Sequence, residues 1–125
     1  MKVDMAAQLQ IMVQKVHDVT VVDFQDARML ESHLIDQLGE QLYRLVDKLD
    51  RKKLVLDFSK VQFLSSAAIG VFLTLHKKSV AIKGTLVLCG LRKDILKVFE
   101  LMSLHKLLKI CANEKDALAV FGVNA

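Results

Sequence analysis

Hydrophobic and polar positions alternate with two different periods along this chain, and the changes of period mark its elements. From Gln8, apolar Leu9, Ile11 and Val13 alternate with Gln10, Met12 and Gln14, the two-residue period of a half-buried strand. Val19-Thr20-Val21-Val22 forms a second extended run, with His17-Asp18 as the turn of an antiparallel hairpin. Between Leu30 and Leu49 the period lengthens: Leu34, Leu38, Leu42, Leu45 and Leu49 recur at three- and four-residue steps, predicting an amphipathic helix. Gly39 lies inside it and weakens helix propensity by about 1 kcal/mol relative to Ala, which a buried face can offset. Leu54 to Phe58 is a nearly continuous apolar run, as expected of a central strand covered on both faces. A helix from about Ala67 to Ala81 follows, with Ile69, Phe72, Leu73, Leu75 and Val80 among its apolar positions. After Gly84, Thr85 to Cys89 is a strand, Gly90 a turn, and Arg92 to Met102 a helix carrying Ile95, Val98, Phe99 and Met102. Leu107 to Ile110 predicts a last short strand, and Asn113 to Asp116 leads into a terminal helix reaching about Phe121.

Strands alternating with helices behind an opening hairpin point to a mixed sheet flanked by helices. With 125 residues, 53% of them hydrophobic, the expectation is one domain over residues 1–125 with a single core. No window reaches the roughly 20 uninterrupted apolar residues of a membrane span, and the start M-K-V-D-M-A-A-Q lacks a signal-peptide core, so a cytosolic protein is expected. Cys89 and Cys111 are far apart in sequence and lack metal-site spacing; buried thiols are expected, with neither a zinc site nor a disulfide framework. The formal charge is +4, but the basic residues are dispersed at element ends and the chain has one Tyr and no Trp. A continuous basic stripe with stacking aromatics is missing, which argues against nucleic-acid binding.

The chemistry concentrates at L-V-L-D-F-S-K-V-Q-F-L-S-S-A-A-I-G, residues 54–70, where a strand-like run ends in Ser65-Ser66 and an apolar helix begins. A helix start offers unpaired N–H groups and the positive end of the helix dipole. A serine there serves either as an N-cap or as a phosphoacceptor whose added charge is tolerated, and the local pattern alone fits both. Asp57 is open in the same way, as a partner-facing acid or as an aspartate forming a turn with the following backbone.

The order of elements, this segment, and the later G-T-L-V-L-C-G-L-R-K-D-I-L-K-V-F-E-L-M-S-L closely resemble the STAS domain of bacterial anti-sigma-factor antagonists, over nearly the whole chain and most strongly from Leu54 to Ile110. The resemblance implies an α/β fold, a mixed four- to five-stranded sheet with about four flanking helices. It implies phosphorylation by a serine kinase that is itself an anti-sigma factor, with a serine phosphatase resetting the switch. Asp57 and Ser59 stand in the family's D-x-S positions and Ser66 in the phosphoacceptor position, with Ser65 the second choice. Partner contacts are expected at Asp23, Asp26, Asp57, Ser65, Ser66, Ala68 and Ile69. Two positions depart from the family's pattern: Ser65 replaces an acid found in many relatives, and Ala68 stands where glycine is frequent. Lys60, Lys77 and Lys78 are near enough in sequence to be considered as phosphate neighbours.

Other classes have less behind them. A hydrolase built on Ser66 needs a base, and His17, His33, His76 and His105 lie in no triad or nucleophile-elbow context. No phosphate-cradling glycine loop is present, and no cofactor or metal is expected. The alternative is a STAS scaffold or ligand-sensing module that works without phosphorylation. The helix from Leu30 to Leu49 gives no separate argument for a coiled-coil dimer, so oligomeric state stays open.

Overall fold

Five strands that pair in the order they occur in the chain decide this architecture. In the computed structural model, which describes residues 11–25 and 35–123, the strands are β1 (Ile11–Val16), β2 (Val19–Phe24), β3 (Lys53–Asp57), β4 (Thr85–Cys89) and β5 (Lys109–Cys111). They form one sheet in the order β1-β2-β3-β4-β5, with β1 antiparallel to β2 and every later pair parallel. Helices α1 (Ile35–Asp47), α2 (Ser66–Ala81) and α3 (Lys93–Leu101) make the crossovers, a 3-10 turn at Leu104–Lys106 precedes β5, and α4 (Glu114–Val120) closes the chain. Right-handed crossovers that step in one direction along a sheet place all their helices on one face. Only a helix outside that series can cover the other face, and α4 does so.

The strand period sorts the core accordingly. Val22, Phe24, Leu54, Leu56, Phe58, Leu86 and Leu88 pack against α1, α2 and α3. The alternate residues Val19, Val21, Val55, Val87 and Cys89 meet Ala117 and Leu118 of α4. Phe24, Phe58 and Phe72 form an aromatic cluster at the centre of the larger layer, with centroid separations of 5.1, 6.1 and 5.2 Å and tilted or edge-on rings, as aromatic quadrupoles favour. Gly39 sits where α1 meets α2: a Cβ there would lie 3.4 Å from Val71 Cγ2, so its lost helix propensity is exchanged for close approach of the two helices.

The expected elements are present, with differences at their edges. His17, at φ 57°, and Asp18 make the two-residue hairpin turn, and Lys53 holds Asp18 at 2.6 Å. The alternation expected in the first strand does not become alternate burial, because β1 is an edge strand and Met12 and Val13 are both exposed. Leu9, Leu30 and Leu34 lie outside the described residues. Leu38, Leu42 and Leu45 are buried as the helical period requires, whereas Leu49 falls beyond α1 and is exposed. Val80, Val98 and Met102 are also exposed. The last strand begins at Lys109, two residues later than the apolar run suggested, because Leu107 caps the 3-10 turn and faces solvent. No helix among the described residues is long and apolar enough to cross a membrane.

Phe72 is 0% exposed at the meeting point of the aromatic cluster, so Phe72→Ala is expected to cost about 3–5 kcal/mol, read as a lowered urea midpoint.

Candidate functional site

The register of the sheet draws one row of side chains across the carboxyl ends of the parallel strands. Asp23 pairs with Asp57, Asp57 with Cys89, and Cys89 with Cys111. Because in-register neighbours share a face, all four belong to the face that α4 covers. Glu114, the first residue of α4, comes down on the acidic half of the row, and ligand atoms of Asp23, Asp57 and Glu114 lie within 4.8 Å of one another. Carboxylates this close cannot all ionise freely. Burial, a hydrogen bond shared with Asp57, and the charges of Asp57 and Asp23 push the Glu114 carboxyl up to about 7. Asp23 is also raised, by burial and then by Asp57, with Lys60 opposing the shift.

Asp57 is 6% exposed and turns the chain out of β3. Its Oδ1 accepts from the Ser59 backbone N–H at 2.9 Å and from the Ser59 hydroxyl. Of the two readings open for Asp57, the turn is therefore realised. Gly90 completes this corner at φ 73°, and a Cβ there would lie 2.7 Å from Ser59 Oγ and 3.0 Å from Asp57 Oδ1. Glycine is required both by the backbone angle and by the space.

The two serines that begin α2 have separate roles. Ser65 is the N-cap, with extended φ −79° and ψ 161°, and its Oγ accepts from the Ala68 N–H at 3.1 Å. Ser66 occupies the first helical position and is exposed, and the first turn of α2 contains no acid. The expected partner surface therefore needs correcting. Ala68 and Ile69 are 0% and 6% exposed and pack into the core, so they back the helix start from inside. Asp57 is buried as well. Asp23 is partly exposed beside the acid cluster, and Asp26 lies outside the described residues.

The lysines divide in the same way. Lys77 and Lys78 follow Ser66 by eleven and twelve positions on one helix, roughly 17 Å along its axis at 1.5 Å per residue, too far to meet a group on Ser66. Lys78 instead pairs with Asp47 at 2.8 Å and lies 5.2 Å from the Tyr43 ring centre. Lys60 reaches Gln25 Oε1 at 3.2 Å, near the acidic end of the row.

Reading the sequence missed Glu114 as a member of the site. Asn113 was legible as a helix start, and its side chain does accept from the Asp116 N–H at 2.8 Å. The available signal was an acid at the first position of a helix that follows a parallel strand. Cys111 also differs from the expected buried thiol, being half-buried, whereas Cys89 is fully buried.

A five-stranded mixed sheet with this helix arrangement is the α/β fold of STAS domains. Residues 10–117 match the STAS domain model, and the chain belongs to that family. It is 33% identical over 86 residues, covering 69% of this chain and 73% of the relative, to a Bordetella bronchiseptica protein named "Putative anti-sigma factor antagonist BtrV". The fold is shared with an anti-sigma-factor antagonist STAS domain protein from Planctomyces limnophilus, at TM-score 0.79 and 18% identity over 90% of this chain and 98% of that one. It is shared too with the phosphorylated form of the Bacillus cell fate determinant SpoIIAA, at TM-score 0.65 and 16% identity over 89% and 98%.

Two measurements check the division of labour at this site. Ser65→Ala is expected to cost about 1 kcal/mol through the lost cap, and Ser66→Ala less than about 0.5 kcal/mol, both by denaturant unfolding. For the acid cluster, a carboxyl raised from 4.5 to about 7 in the fold binds its proton more tightly folded than unfolded. Its contribution is fully present below pH 4.5 and is lost as pH rises through about 7. Glu114→Gln, uncharged at every pH, is expected to raise the melting temperature by a few degrees at pH 8 and to flatten its slope between pH 5 and 7.

Proposed function

We propose that this protein is an anti-sigma-factor antagonist that binds a serine-kinase anti-sigma factor and is switched off by phosphorylation of Ser66. The observation that carries the reading is the separation of Ser65 from Ser66. The cap is already supplied by Ser65, so the exposed Ser66 hydroxyl is dispensable to the fold and accessible to a kinase. Membership of the STAS family and the name of its Bordetella relative support the same role.

The mechanism is one of charge. Phosphorylation adds about −1.5 to −2 charge and three acceptor oxygens at a helix start, where the dipole and the open N–H groups accommodate them. The isolated fold survives the change. A partner docked over the start of α2 meets a new anion where the first turn carried no acid, close-packing is lost, and the anti-sigma factor is released to hold its sigma factor. Removal of the phosphate by a serine phosphatase restores the complex. Asp23, Ser65 and Ser66 supply the contact surface, with Asp57, Ala68 and Ile69 fixing its shape from beneath. This makes the protein a regulator of transcription through binding, with no reaction of its own.

The test uses tagged protein recovered from its own cells with whatever GHKL-type serine kinase accompanies it. The wild type is expected to retain that kinase, and to take a single phosphate on Ser66 when ATP is added, located by fragmentation mass spectrometry. Ser66→Asp is expected to weaken the purified complex at least about tenfold, about 1.4 kcal/mol, by titration calorimetry, with an unchanged melting temperature. Undiminished binding by Ser66→Asp would overturn the switch and leave the phosphorylation-independent scaffold.

A further inference from the structure

The row that carries the acids continues into two thiols. Cys89 ends β4 and Cys111 ends β5, and the two are register partners across a parallel pair. Both are free, and both belong to the layer covered by α4. Adjacent strands run about 4.8 Å apart, inside the roughly 4.4–6.8 Å range of Cα separations that a disulfide spans. In-register neighbours also direct their Cβ atoms to the same side of the sheet, at about the strand spacing of 4.8 Å, so closing to the roughly 3.5–4.5 Å of a disulfide requires the three-residue edge strand β5 to shift by a few tenths of an ångström. Sequence separation had argued against a bridge, and the fold removes that argument.

The two thiols are unequally placed. Cys89 is 0% exposed. Cys111 is half-buried and lines an open cavity of about 380 Å³ with Leu91, Glu100, His105 and Ile110. Such an arrangement has one thiol for an incoming reagent and one held behind it. We propose that Cys89 and Cys111 form a reversible intrachain disulfide, with a low-molecular-weight disulfide of the glutathione type as oxidant.

The Cys111 thiol loses its proton to solvent, and its sulfur attacks one sulfur of the oxidant, breaking that S–S bond and expelling one small thiolate. Cys89 loses its proton in turn and attacks Cys111 Sγ in the mixed disulfide, expelling the second thiolate. The protein pair is oxidised by two electrons, the small disulfide is reduced to two thiols, and the two protons lost by the protein are taken up by those thiols. Burial raises both protein thiols, with Lys109 opposing the shift at Cys111, which keeps Cys111 the more readily ionised of the two by position. The bridge would tie the three-residue edge strand β5 to β4 immediately before Asn113 and Glu114, and so fix the approach of α4 to Asp57.

The full chain is equilibrated in glutathione buffers from reduced to oxidised, quenched with N-ethylmaleimide, and read by intact mass and peptide mapping. In oxidising buffer the folded wild type is expected to lose two hydrogens, take no maleimide, remain one chain, and yield Cys89 and Cys111 peptides joined. Cys89→Ser should stop at one glutathione on Cys111, and Cys111→Ser should stay unmodified until urea exposes Cys89. A wild-type end state with Cys111 alkylated, with a persistent glutathione adduct, or with bridges only between chains would overturn the proposal.

Discussion

Sequential pairing of β2, β3, β4 and β5 is the constraint on which the rest of this structure depends. It commits three crossover helices to one face and leaves the opposite face to a seven-residue helix at the end of the described chain. Among the described residues Val19, Val21, Val55, Val87 and Cys89 are covered from that side by Ala117 and Leu118 together with Phe121 and Val123, so the docking of α4 removes apolar surface that the topology leaves exposed to it. That small layer sets the position of Glu114, because the first residue of α4 has to land where β5 delivers it. The carboxyl of Glu114 consequently meets Asp57 and Asp23 at the carboxyl ends of their strands. The acidic cluster is thus a product of how the second face is closed.

The same end of the sheet carries the start of α2, and the corner between them is closely built. Asp57 accepts from Ser59, and Gly90 approaches both at distances that exclude any side chain. Beyond that corner the loop reaches Ser65, whose cap anchors α2, while Ala68, Ile69 and Phe72 bury the inner side of its first two turns. Rigid support beneath an exposed hydroxyl is what a charge switch needs, since the charge then alters the surface without melting the helix. Under the proposed switch, a partner would read a changed surface on an unchanged fold.

Much of this was legible along the chain, for reasons that are local. Leu38, Leu42 and Leu45 fall at helical spacing because one face of α1 must be apolar, and Leu54 to Phe58 is continuously apolar because both faces of β3 are covered. Ser65-Ser66 marks a helix start through a preference that needs no tertiary partner. Misreadings occurred where burial is decided at a distance. Ala68 and Ile69 follow the serines directly, yet helical rotation turns them inward, and Lys77 and Lys78 are carried to the far end of a straight helix. Met12 and Val13 have strand character without burial because, among the described residues, β1 has a neighbour on one side only.

By itself the sequence determined the succession of strands and helices, the apolar faces, the serine pair at the start of α2, and the family resemblance those residues carry, because each depends on spacing within one segment. The tertiary structure alone decided which serine caps and which is exposed, that Asp23, Asp57 and Glu114 share one cluster, and that Cys89 lies beside Cys111. Those facts depend on strand register and on the closing of the sheet's second face, which bring together residues far apart in the chain.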